Sequence, residues 1–290
     1  MSQCSEGEVA QQACPAVGVG PSAESCLPEQ ESNPLPADAA REPPAGTLWQ
    51  CPITGMVFVW VPGGSFLMGS HQSDASSDER PVHKVTLNGF WIGKYPLTQG
   101  EWIKLMPNNT AYFPEEQRSL FGFGKRRPGN WAQYPMENIS WVDVRHYLAE
   151  LNARGDGKYR MPTEAEWEYA CRSGGKNEKY SGGDDIDRVA WYKDNSDNTT
   201  HPVGQKDPNG LGLHDMSGNL WEWVADWYDE NYYAKSPAEN PPGAAWGFNR
   251  VVRGGCWGVL PALVRCSFRS YDDKNYRYYA VGARLARSFP

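Results

Sequence analysis

Apolar and polar positions follow a strand period near the front of the chain. Met56-Val57-Phe58-Val59-Trp60-Val61 is a β-prone run that Pro62-Gly63-Gly64 brings to an end. Residues 65–69 read as its hairpin partner. Residues 82–87 alternate as a strand, Asn88-Gly89 supplies a tight turn, and residues 90–93 resume as a strand. The period then turns helical. Thr98 with Glu101 three residues on predicts a capped helix whose apolar side is Trp102, Leu105 and Met106. Ser140 caps a second helix with the stripe Trp141, Val144, Tyr147, Leu148 and Leu151. Thr163 and Glu166 form the capping box of a third, which turns Trp167 and Ala170 inward. Beyond Gly174, Gly, Asp, Asn, Pro and aromatic residues dominate, which predicts long ordered loops crossed by short strands. The segments 251–253 and 283–286 read as closing strands.

Residues 1–48 are rich in Glu, Pro, Ala, Ser and Gln and predict a disordered tail; the domain is expected to run from 49 to 290. Within it, the polar stretch 107–134 reads as an insertion. Thirteen Trp, fifteen Tyr and thirty Gly suit a loop-rich α+β fold packed on aromatic rings. The net charge of -7 argues against nucleic acid and anionic membranes as partners. No apolar run is long enough to span a bilayer, and the first residues carry no secretory pattern, so a cytoplasmic location is expected. Seven cysteines, with Cys4, Cys14 and Cys26 in the tail and no Cys-x-x-Cys, argue against a disulfide framework. Cys171 and Cys256 read as small buried residues.

The last forty residues have a different character. Arg253-Gly254-Gly255-Cys256-Trp257 opens them, Gly282-Ala283-Arg284 closes them, and Arg265, Arg269 and Arg277 are spaced between. The residues between these arginines follow neither a helical nor a strand period. That is the pattern of a fixed scaffold displaying arbitrary side chains, which points to binding before catalysis.

Five strings resemble one family. They are the run from Gly55 to Gly69, Glu79-Arg80-Pro81-Val82-His83, the run from Tyr159 to Glu168, the run from Gly212 to Trp223, and Arg253-Gly254-Gly255-Cys256-Trp257. Together they resemble the formylglycine-generating enzyme (sulfatase-modifying factor) family, whose fold is a variant of the C-type lectin fold. The resemblance implies three kinds of activity. Oxidases of the family bind copper through two cysteines shortly after Arg-Gly-Gly-Ser. Here residues 258–264 hold no cysteine, and Cys256 and Cys266 fall elsewhere, so no copper and no catalytic residues are expected. A second branch uses histidine-ligated iron, but the five histidines form no His-x-x-x-His cluster. The third branch, the variable proteins of diversity-generating retroelements, matches the spaced arginines.

On that resemblance the chain is expected to be a noncatalytic binder of a protein or other macromolecule. The displayed positions are Gly258, Val259, Leu260, Ala262, Leu263, Phe268, Ser270, Tyr271, Asp272, Asp273, Asn275, Tyr276, Tyr278, Tyr279 and Ala280. Mutated AAY codons can encode every one of these residues. They cannot encode Lys, Trp, Met, Gln or Glu, and none of those stands at these positions. The alternatives are a copper-dependent oxidase of a protein cysteine and a noncatalytic regulatory module of the same fold. The resemblance also implies a structural calcium at Asp215, Gly218, Leu220 and Glu222.

Overall fold

Three sheets organise the structure, a computed structural model that describes residues 42–113, 130–155 and 157–289. The strands are β1 (Leu48–Gln50), β2 (Val57–Val61), β3 (Gly64–Met68), β4 (His83–Leu87), β5 (Phe90–Gly93), β6 (Tyr159–Arg160), β7 (Trp221–Trp227), β8 (Asn249–Arg253), β9 (Arg269–Asp273), β10 (Val281–Ala283) and β11 (Ala286–Ser288). The helices are α1 (Gln99–Trp102), α2 (Trp141–Arg154), α3 (Glu164–Cys171) and α4 (Ile186–Val189). One sheet runs β1-β2-β5-β11-β6, a second β10-β7-β8-β9, and β3 pairs β4 in a third. The result is α+β and loop-rich, with most of its regular structure in short strands. The expected tail falls largely on residues outside those described, as do residues 114–129 of the expected insertion.

The helix caps form as the sequence dictates. The hydroxyls of Thr98, Ser140 and Thr163 each accept from the N3 amide, and Glu101, Asp143 and Glu166 return the bond to the cap amide. The α2 stripe Trp141, Val144, Tyr147, Leu148 and Leu151 is buried throughout. It packs with Phe58, Trp60, Trp91 and Trp223 in one core. A second core gathers Val59, Phe66, Val85, Trp167 and Val251 between the strands and α3.

Two predicted hairpins do not form. β3 does not turn back on β2; it pairs β4, while β2 lies between β1 and β5. β4 and β5 likewise enter different sheets across Asn88-Gly89. Both corners are crowded. A Cβ at Gly63 would collide with the Leu87 carbonyl, and one at Gly89 with the Trp60 ring. Those glycines therefore carry the chain from sheet to sheet instead of closing a hairpin. The C-terminal strand predicted over 283–286 is divided. β10 runs parallel to β7, and β11 crosses into the other sheet between β5 and β6. Arg284 and Leu285 sit at the crossing.

Candidate binding surface and its scaffold

The spaced arginines hold the C-terminal segment from beneath. Arg253, wholly buried, donates to the carbonyls of Cys266, Ser267 and Phe268 and to Glu168 Oε2 at 2.6 Å. Arg265 grips Glu79 through two 2.8 Å bonds and also donates to the Ala262 carbonyl. Arg269 grips Glu164 at 2.6 and 2.9 Å and reaches the Asp78 carbonyl. Arg284 joins Glu222 to the carbonyls of Gly93 and His214. These are fork-shaped, charge-assisted contacts that a lysine could not reproduce. Burial by itself would raise the Glu79 and Glu164 carboxyls; the facing arginines outweigh it and hold both below the ordinary range. Arg277 differs from the rest, since it is exposed and pairs with a half-buried Asp143.

Further backbone bonds fix the segment from outside. The amides of Lys193, Val142, Asn138 and Trp221 donate to the carbonyls of Val259, Lys274, Tyr278 and Ala280. β9 is laddered along its full length to β8. Each of these bonds ends on main chain within the segment, so none depends on which side chain stands there.

Fourteen of the fifteen predicted display positions are at least partly exposed, and the fifteenth is corrected. Ala280 is only 1% exposed and packs beside Cys256 and Trp257. Its small side chain lies under the tyrosines, so it belongs to the scaffold. Leu260, Tyr271 and Tyr276 are the most open of the large hydrophobic residues in the segment. Gly258, Ala262, Asp273 and Asn275 are also exposed, and Val259, Leu263, Phe268, Ser270, Asp272, Tyr278 and Tyr279 are half-buried. The aromatic residues form a continuous surface. Tyr276 stacks on Tyr278 at 6.0 Å, Tyr278 meets Tyr279 at 4.1 Å, and Tyr279 stacks on Trp257 at 5.7 Å.

Sequence reasoning missed part of this surface. Tyr112 and Phe113, at the head of the insertion, lie 5.1 and 6.1 Å from Tyr279. Their amides both donate to Glu137, which plants the insertion beside the displayed residues. Tyr228 at the end of β7 packs on Tyr271 at 4.1 Å. The buried carboxylates that answer the arginines were also missed. Glu164 and Glu168 stand four apart on a helix face that is otherwise apolar, and that spacing was the available signal.

The four residues expected to hold calcium are largely engaged within the protein. Both oxygens of Glu222 are engaged, by the Arg284 guanidinium and by the Trp167 indole at 2.6 Å. The Gly218 carbonyl accepts from the Leu220 amide. Asp215 accepts from Gly204 through one oxygen, and its other oxygen is buried without a partner. Burial pushes this carboxyl up to about 6. A guanidinium already occupies the charge that calcium would need, so these residues do not fit the ion. Among the described residues no group of three or more His, Cys, Asp or Glu could hold a metal.

The cysteines separate. Cys266 does not face Cys256; its sulfur lies 3.2 Å from that of Cys171, and both are fully buried. Cys256 sits in the cluster under the tyrosines, where burial pushes its thiol up to about 11. His83 and His201 bond the carbonyls of Pro81 and Ser196.

Short mixed sheets, long pinned loops and an arginine-held C-terminal segment define the formylglycine-generating-enzyme-type variant of the C-type lectin fold. The chain belongs to the family of the sulfatase-modifying factor enzyme 1-like domain, whose pattern matches residues 49–289. It is 30% identical to a formylglycine-generating enzyme of Streptomyces coelicolor, over 77% of this chain and 84% of that one. It is 32% identical to the serine/threonine-protein kinase Pkn1 of Chlamydia trachomatis, over 89% of this chain and 44% of the kinase. The chain thus spans less than half the length of that relative. Among solved structures, Treponema denticola variable protein 1 superposes with a TM-score of 0.71 at 25% identity, covering 84% of this chain and 99% of that one.

Proposed function

We propose that this chain is a noncatalytic binding protein whose ligand is met by a diversified surface at residues 258–279. The observation that carries the reading is the division of labour in the C-terminal segment. Its main chain is held by buried arginines and by amides from elsewhere in the fold, while its displayed side chains are exposed or half-buried and supply few of the hydrogen bonds that hold it. Such an arrangement lets the surface change while the fold stays. Tyrosine suits the task because each ring offers rigid contact area with one polar tip. The likeness to the Treponema variable protein supports the same reading. The partner is a protein or other macromolecule, since the displayed residues form a broad face and not a closed pocket.

A second reading, a regulatory module of the same fold, draws on the kinase relatives, in which this stretch matches only part of a longer chain. The two readings separate on DNA. The 3′ end of the gene is sequenced across many cells together with its flanks. Substitutions confined to the displayed positions, each traceable to an adenine of a nearby template copy, support diversification. An invariant 3′ end without such a copy overturns it and leaves the regulatory module.

A further inference from the structure

A strand edge lies open in a cleft on the β3–β4 sheet. Sheet order places β3 at an edge, with β4 as its sole ladder partner among the described residues. The hydrogen-bond pattern shows which groups are open. Thr86, which stands opposite Ser65, donates its amide to the Ala238 carbonyl and accepts from the Asn240 amide. Both main-chain groups of Thr86 therefore face away from β3. In an antiparallel ladder this makes Ser65–Thr86 a non-hydrogen-bonded pair, and Leu67–Lys84, two residues along, another. Ser65 and Leu67 consequently aim their N–H and C=O groups outward from the sheet. These groups have no main-chain or side-chain partner among the described residues.

They border a cleft of about 910 Å3 between β3 and the loop after α3. Three exposed lysines line it, Lys84 from β4 and Lys176 and Lys179 from the loop, and none is in an ion pair among the described residues. Two carboxylates also line it. Glu178 is engaged by the Ser173 hydroxyl and the Gly182 amide, and Asp184 is the other. The buried guanidiniums of Arg172 and Arg265 form the floor, each committed to a carboxylate. On a chain of net charge -7 this cleft is lined with more cations than anions.

We propose that β3 receives an extended acidic peptide segment of a partner protein by strand addition. The main-chain groups of Ser65 and Leu67 would pair with the segment, and the three lysines would meet its carboxylates. Lysines on a strand edge also serve simply to prevent association, and the experiment must separate the two roles. The proposal goes beyond the diversified surface and does not depend on it.

The test uses the full chain and fluorescence anisotropy with a labelled short peptide of alternating threonine and glutamate. Saturable binding is expected. The same peptide N-methylated at every residue, which keeps its charge but loses all of its main-chain donors, should not bind. A threonine–lysine peptide should not bind wild type. The triple variant Lys84→Glu, Lys176→Glu, Lys179→Glu should lose binding of the acidic peptide by at least about tenfold. It should gain the threonine–lysine peptide, and this swap shows that the variant is folded. Three results would overturn the proposal: no saturable binding, binding indifferent to N-methylation, or binding unmoved in the triple variant. Self-association through this edge in place of peptide binding would overturn it as well.

Discussion

Replacing Arg284 by methionine tests whether the arginines are the frame on which the C-terminal segment rests. The guanidinium is wholly buried and makes three kinds of contact: two oxygens of Glu222, the Gly93 carbonyl of β5 and the His214 carbonyl. Methionine fills much of the same volume without a donor. Glu222, itself fully buried, would keep only the Trp167 indole as partner. Breaking a buried pair by removing one member costs about 3–5 kcal/mol, because a charge is left in low dielectric without its counterion. For a domain of this size each kcal/mol shifts Tm by about 2–4 °C, so a fall of roughly 6–20 °C is expected. Urea unfolding of wild type, Arg284→Met, Glu222→Gln and the double variant completes the cycle. The amide introduced by Glu222→Gln can still accept from the indole, so the double variant should cost clearly less than the sum of the singles. A loss below about 1 kcal/mol for Arg284→Met, or strict additivity, would refute the reasoning and make Arg284 a bystander.

The remaining predictions concern the surface, one titrating acid and the expected calcium. Leu260→Ser and Tyr276→Ser, both at open positions, should each change stability by no more than about 0.5 kcal/mol in the same urea assay; a cost like that of Arg284→Met would mean the segment is core. Burial, and next the charge of Glu164, push the Asp226 carboxyl up to about 8. The native state thus holds a proton that the unfolded chain releases near the ordinary value, so stability from this group is full at low pH and is lost as pH rises through about 8. Asp226→Asn still accepts from the Glu164 amide and should flatten that decline in Tm against pH; parallel curves for the two proteins would show that another group titrates. Calcium added to chelated protein should leave Tm unchanged, because Arg284 holds Glu222; a saturable rise abolished by Asp215→Asn would restore the calcium site.

What could be read from the sequence, and what could not, divides by the range of the interactions. The three capped helices and the stripe of α2 were legible because caps and periods act within a few residues. Strand partners were not, since β11 reaches its partner β5 from nearly two hundred positions away in the chain. β7 was also hidden. Its aromatic residues read as a motif, and its strand character comes from β8 on one side and β10 on the other. The candidate surface was legible from spacing because the arginines between the displayed residues must recur wherever the main chain needs holding. Their partners lie far away, in Glu79, Glu164, Glu168 and Glu222, and only the fold brings them under the segment.

This separation has a consequence for how the surface can vary. Arg253 and Arg269 share one buried cluster with Glu164, Glu168 and Arg172, so losing either of the two takes a counterion from a buried carboxylate. The displayed residues have no comparable coupling: they bond to the fold through main-chain atoms that every residue type except proline supplies in full. Substitution is therefore costly at the arginines and cheap between them. Ala280 marks the boundary, because it lies inside the segment but beneath the rings of its neighbours, and a larger side chain there would lift Trp257 and Tyr279 off the scaffold.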